Sequence, residues 1–123
     1  MTLLDQGRLI SAVDYIDAQR LRRIQSREFF KLFGQVDCIF TPTTPTAAPK
    51  IGQTTMKIGT ADVDVRLATT RFMRAINILG IPALSIPCGR TKAGLPIGLQ
   101  ILARPQGDDT LLRVGAAIED AVR

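Results

Sequence analysis

Residues 77–100, reading NILGIPALSIPCGRTKAGLPIGLQ, leave the chain few ways to fold. Gly80 and Pro82 end any helix that reaches Asn77, because glycine accepts the left-handed conformation of a helix terminus and a residue before proline avoids helical backbone angles. Two short apolar runs follow, at 83–88 and 97–103, separated by a loop over 89–96 that carries Gly89 and Gly94. Runs of that length bounded by turn residues read as strands, and adjacent antiparallel pairing in one sheet is the simplest topology. An intervening strand from elsewhere in a larger sheet is the alternative.

The remaining pattern alternates helices and short strands. Residues 2–6 with Gly7 read as the last turn of a helix and its glycine cap, as though the chain starts within an element. Ser11 and Asp14 form an N-terminal cap for a helix over 12–33, ended by Gly34. At about 100° per residue Val13, Leu21, Ile24 and Leu32 share one face, which should pack on a sheet, with Asp17 interrupting the stripe near the helix start. Residues 37–41 read as a buried strand stopped by Pro42 and Pro45. The threonine-rich loop over 41–49 is held by prolines and carries hydroxyls that donate and accept, which suits either a pocket rim or a rigid connector.

Further on, 56–58 and 63–65 can pair as a hairpin across 59–62, and 66–78 reads as one helix with Leu67, Phe72 and Ile76 apolar. A last helix over 110–122 should be capped by Asp108 or Asp109 and offer Leu111, Leu112, Gly115 and Ile118 to a sheet. The expected fold is α/β, a mixed sheet of about three main strands covered by helices, in one domain over 1–123. With 46% apolar residues, the 123-residue chain has the makings of a folded core.

Composition excludes several functions. The net charge is +5, with Arg20, Arg22, Arg23 and Arg27 close together. Asp14, Asp17 and Glu28 are interleaved with them, however, and tryptophan is absent with a single tyrosine, so the helix reads as a solvated face rather than a nucleic-acid surface. No stretch approaches the roughly 18 apolar residues of a membrane span. Histidine is absent, which removes Ser-His-Asp and Cys-His catalysis and every imidazole metal ligand. Cys38 and Cys88 are isolated thiols in apolar runs, which points to a reduced, cytoplasmic setting and to small buried side chains. Neither a cofactor nor a metal is called for.

The 77–100 segment, together with DCIFTPTTPTAAPKIG at 37–52, Tyr15, Ala18 and Arg22 in DYIDAQRLR, and DDTLLRVGAAIED near the end, resembles the amidase signature family in that family's order. The likeness covers nearly the whole chain and corresponds to the last quarter or so of a family member. It implies the C-terminal portion of the amidase signature fold and a role in carboxamide hydrolysis. The family's nucleophilic serine, its second serine in a cis peptide conformation and its lysine are implied to lie elsewhere. An unprotonated lysine working through a bridging hydroxyl can activate a serine without histidine.

No catalytic residue is carried over. Ser11 is explained as a cap, Ser26 as an exposed helix position and Ser85 as a strand hydroxyl, while Lys31, Lys50, Lys57 and Lys92 lie in no glycine- and serine-rich loop. The substrate-pocket candidates are Thr43, Thr44, Arg71, Asn77 and Gln100. Asn77 can bond its own backbone at the chain reversal or face substrate. Gln100, a polar group in an apolar strand, should bond a neighbouring loop or serve a pocket. Arg71 can hold a carboxylate, face water, or pair with Asp62 or Asp64. Tyr15 and Arg22 should brace their helix.

Against the family pattern, Met73 and Ala75 replace a common threonine and proline, which implies a more helical approach to the pocket. Thr70 stands where members that amidate charged tRNA tend to carry an acid. The expected role is therefore sheet scaffold and pocket wall of an amidase, inactive alone, acting on a small amide with an N-terminal amidase half or a second copy as partner. A noncatalytic module that self-associates through sheet edges, or a fragment like the A subunit of a glutamyl-tRNA amidotransferase, is the alternative.

Overall fold

The computed structural model describes residues 3–122, which fall into two compact units that divide between Gln35 and Val36. In the first unit a one-turn helix, α1 (Leu3–Gly7), precedes α2 (Ala12–Phe30) and a 3-10 turn, Lys31–Gly34. Gly7 is the last residue of α1 and has no positive φ, so the expected left-handed glycine cap does not form. Thr2, expected to open that turn, lies outside the described residues. Ser11 does cap α2: its hydroxyl accepts the Asp14 backbone N–H at 3.1 Å and donates to the Asp14 carboxylate at 2.7 Å.

The α2 stripe departs from expectation. Val13, Leu21, Ile24 and Leu32 are all exposed, and so is Tyr15. No sheet belongs to the unit, and the arginines between the apolar positions keep the helix polar over most of its circumference. Local pairs support it instead, Asp17–Arg20 at 3.0 Å and Glu28–Lys31 at 2.7 Å. Solvent-exposed pairs of this kind contribute about 0.3–0.5 kcal/mol each. Phe29 and Phe33 meet edge to face with ring centroids 6.0 Å apart.

The second unit is built on a three-stranded antiparallel sheet. Strand β1 is Cys38–Pro42, and its terminal proline is tolerated because β1 pairs on one side only. A separate hairpin joins β2 (Thr55–Ile58) to β3 (Ala61–Asp64) through two residues, with Gly59 at φ 62 supplying the left-handed angle such a turn requires. The hairpin ends one residue before the expected Val65, because the Asp64 carboxylate turns to cap the next helix, accepting the Arg66 and Leu67 N–H groups at 2.8 and 3.2 Å.

The expected single helix over 66–78 is two helices, α3 (Val65–Thr69) and α4 (Arg71–Leu79). The break falls at Thr70, whose backbone leaves the helical region at φ −95, ψ 1 while its hydroxyl bonds the Arg66 carbonyl at 2.6 Å. Neighbouring Thr69 does the same toward the Val65 carbonyl at 2.8 Å. Paired threonine hydroxyls competing for helix carbonyls are a known way to bend the backbone. Gly80 then ends α4 in the left-handed conformation, as its position implies.

Strands β4 (Ala83–Arg90) and β5 (Pro96–Ala103) pair antiparallel and adjacent, and the strand order is β1-β5-β4. Ser85 and Thr41 both stand opposite Gln100, one on each side of it. Facing residues in such a ladder share a side of the sheet, so these three make one polar row. On the other side Leu84, Ile86, Ile101, Ala103 and Cys38 pack with Leu111, Val114 and Ile118 of α5 (Asp108–Ala121). Burial of each large aliphatic side chain there is worth about 1.5–3 kcal/mol.

Gly115 brings α5 close, since a Cβ at that position would run into the Leu84 methyl. Two details of α5 differ from expectation. Its N-cap is Gly107 with no side-chain bond, and Asp108 and Asp109 lie inside the first turn, where they complement the helix dipole. Leu112 is exposed, because one residue past Leu111 the helix has already rotated away from the sheet.

Candidate functional site

The side of the sheet away from α5 carries the polar row, and α4 supplies the wall above it. There Thr43, Met73, Ile76, Asn77, Ala83, Leu84, Ser85 and Gln100 line a hollow of 190 Å³. Met73 and Asn77 are four residues apart on α4 and therefore project from the same face. Asn77 sits within the last helical turn rather than at the reversal, three residues before Gly80, and its side chain is exposed. The backbone bond expected of its amide is not formed among the described residues.

Gln100 is buried, with 5% of its surface accessible, and its Nε2 donates to Thr41 Oγ1 at 3.2 Å. That partner is on the adjacent strand rather than on a loop, because the register sets the two side chains opposite each other.

Thr43 continues the row beyond β1. Its N–H bonds the Gly98 carbonyl at 2.9 Å, which extends the β1–β5 pairing past Pro42. Its hydroxyl lies 2.7 Å from the Ser85 hydroxyl. Gly98 permits this: a Cβ there would stand 2.8 Å from Thr43 Oγ1 and 3.2 Å from Ser85 Oγ. Ser85 thus has more than the strand role read for it. Its placement follows from the register with Gln100, a tertiary relation that single residues do not announce.

The other two candidates are elsewhere. Thr44 lines a second hollow of 270 Å³ with Pro42, Pro45, Thr91 and Ile97, and its hydroxyl is spent on the Thr46 carbonyl at 2.7 Å. Arg71 lines a third, of 470 Å³, between the β2–β3 hairpin and the α3–α4 helices. It forms no ion pair with Asp62 or Asp64 among the described residues. Six residues along a helix rotate the direction by about 240°, so Arg71 and Asn77 cannot serve one pocket from α4.

Electrostatically the Asn77 hollow is neutral, since none of its lining residues is charged. Its polar groups are two hydroxyls and two primary amides, which between them both donate and accept; Met73, Ile76 and Ala83 make the rest of the wall apolar. No lysine lies among the lining residues to activate Ser85. On the opposite side of the sheet, burial pushes the Cys38 thiol above its ordinary value, with the Asp37 carboxylate adding to the effect. Both cysteines are free thiols, and Cys88 donates weakly to the Ile97 carbonyl at 3.6 Å. No described helix is long and apolar enough to cross a membrane.

Comparison with known proteins gives a consistent picture. A family model described as Amidase matches residues 2–112. The fatty acid amide hydrolase of Medicago truncatula is 45% identical over 109 residues, which are 89% of this chain and 18% of that protein. The A subunit of the glutamyl-tRNA(Gln) amidotransferase of Koribacter versatilis is 39% identical over 111 residues, 88% of this chain and 22% of that one. Among solved structures, a crystal structure of an amidase superposes with a TM-score of 0.92 at 27% identity, covering 98% of this chain and 27% of the other. A bacterial aryl acylamidase of the amidase signature enzymes gives 0.76 at 27% identity, covering 95% and 24%. The chain spans about a fifth of the length of the curated relatives it matches.

Proposed function

The chain belongs to the amidase family, and on that premise we propose that it forms the sheet scaffold and one wall of a carboxamide pocket in a larger amidase, contributing binding surface rather than the reacting groups. The observation that carries this reading is the convergence of Thr43, Asn77 and Gln100, joined by Ser85, in one uncharged hollow. A carboxamide offers a carbonyl acceptor and an N–H donor side by side, and hydroxyl and amide side chains can answer both. Met73, Ile76 and Ala83 provide an apolar surface for the acyl substituent. The names of two relatives, fatty acid amide hydrolase and aryl acylamidase, support an amide with an apolar substituent.

Thr44 holds the loop beside this pocket, and its bond to the Thr46 carbonyl suits a structural role. Thr70 also favours a plain amide over a substrate bearing an amino group, since its hydroxyl is committed to the Arg66 carbonyl and supplies no charge. The serine nucleophile, bridging serine and lysine of the family belong to the N-terminal part of the amidase fold, outside these 123 residues. The outer edges of β1 and β4, which pair with no described strand, are available to receive it. Two free thiols suit a cytoplasmic setting.

The test is to assay the purified chain for hydrolysis of aliphatic and aromatic amides and, in parallel, for binding of hexanamide by NMR. The expected results are no turnover, with hexanamide shifts clustered around Asn77 and weakened by Asn77→Ala. Turnover that Ser85→Ala abolishes would overturn the noncatalytic assignment, and hexanamide binding indifferent to Asn77→Ala would overturn the pocket.

A further inference from the structure

The hollow that holds Arg71 shares no lining residue with the Asn77 pocket, and its chemistry is of another kind. At 470 Å³ it falls within the usual range for small-molecule sites, roughly 300–1,000 Å³. Ile58, Val63, Leu67 and Ala68 give it apolar surface, with Ala68 fully buried at the base of α3. Arg71 and Arg74 project from α4 at a spacing of three residues, and Asp62 and Asp64 come from alternate positions of β3.

These four charges are not equally free. The Asp64 carboxylate is occupied by the Arg66 and Leu67 N–H groups that it caps, with the Arg66 guanidinium 3.8 Å away. Arg74 donates one nitrogen to the Leu67 carbonyl at 3.0 Å, which fixes its guanidinium against α3 and leaves its other donors available. Arg71 and Asp62, by contrast, make no hydrogen bond or ion pair among the described residues, although both line the same hollow. Lys57 faces Asp62 across the hairpin register without pairing with it. An unspent cation from α4 and an unspent anion from β3 therefore line one cavity that also has apolar surface.

We propose that this hollow binds a small zwitterionic amino acid, its carboxylate on Arg71 and Arg74 and its ammonium on Asp62. A planar guanidinium takes a carboxylate through two parallel bonds, and the preset orientation of Arg74 lowers the entropy lost on binding. An ammonium is a compact donor that a single carboxylate can hold. A ligand with one charge alone would leave one of these groups unanswered and gain only half of the interactions. The site stands on residues that the carboxamide reading does not use, so the two succeed or fail separately.

The experiment titrates the full 123-residue chain with glycine, β-alanine and γ-aminobutyrate, following heat and amide NMR shifts, with butyrate and butylamine as single-charge controls. At least one of the amino acids should bind with shifts centred on the hairpin and α3–α4, and both controls should bind at least tenfold more weakly. Arg71→Ala and Asp62→Asn, both at exposed positions, should each weaken binding by about tenfold, equivalent to about 1.4 kcal/mol. Butyrate binding as well as the amino acids would overturn the proposal in favour of a plain anion site. Absence of binding by all three amino acids, or binding indifferent to both substitutions in a chain whose NMR spectrum shows it folded, would also overturn it.

Discussion

Replacing Gly98 by alanine tests the packing that brings Thr43 and Ser85 together. The added Cβ would lie 2.8 Å from Thr43 Oγ1, 3.0 Å from Thr43 Cβ and 3.2 Å from Ser85 Oγ, where ordinary contact begins at 3.4 Å. Thr43 cannot simply retreat, because its backbone N–H is bonded to the Gly98 carbonyl at 2.9 Å. Overpacking of this kind costs about 1–3 kcal/mol, whereas relieving glycine of its conformational freedom in a strand returns roughly 0.5–1 kcal/mol. If Thr43 rotates to escape, the bond to Ser85 is lost instead, at about 0.5–1.5 kcal/mol. Net of that return, holding Thr43 in place costs about 0–2.5 kcal/mol and letting it rotate changes stability by about −0.5 to 1 kcal/mol, so Gly98→Ala should destabilise the chain by at most about 2.5 kcal/mol. With a urea slope of about 1–3 kcal/mol per molar, each 1 kcal/mol lost lowers the unfolding midpoint by about 0.3–1 M.

The double variant sharpens the test. Thr43→Ala removes the oxygen that the new Cβ meets first, so Gly98→Ala should cost less in that background, with a coupling of roughly 0.5–3 kcal/mol. Urea unfolding of the parent, both single variants and the double variant, followed by circular dichroism, completes the cycle. Strictly additive effects in the double variant would refute the steric argument.

Thr41→Val should destabilise the sheet by about 1–3 kcal/mol, because it leaves the buried Gln100 amide without its partner, and adding Gln100→Leu should recover much of the loss; urea midpoints of the single and double variants check both. Cys38 should make stability depend on pH in the alkaline range. A thiol whose folded value is raised holds its proton more tightly in the native state, so its contribution is complete below its ordinary value of 9.0 and is lost as pH rises through the higher folded value. Unfolding midpoints measured from neutral pH upward should fall less steeply for Cys38→Ala than for the parent, and parallel curves would contradict the assignment.

Local chemistry was legible from the residues. The Ser11 cap, the left-handed Gly80 and the two strands that follow depend on contacts within a few positions, which side-chain type alone dictates. Arg71 shows the limit of such reading. It looked as eligible for the pocket as Asn77, yet helical phase sends the two in different directions, into different cavities. Thr70 broke a helix that apolar spacing had drawn as continuous, because two adjacent hydroxyls competed for the same turn of carbonyls. The α2 stripe read as a packing face and is exposed, since periodicity specifies which residues share a side but not what stands opposite.

The sequence by itself determined the family, most of the elements and the absence of histidine from these residues, because each is written in residue identity or short-range spacing. Only the tertiary structure decided which polar groups meet. Thr43 and Ser85 are 42 positions apart and Thr41 and Gln100 are 59 apart, and strand register alone sets them in one row. A slip of one residue would turn every side chain of a strand to the other face, so the row exists only because apolar packing against α5 holds that register in place.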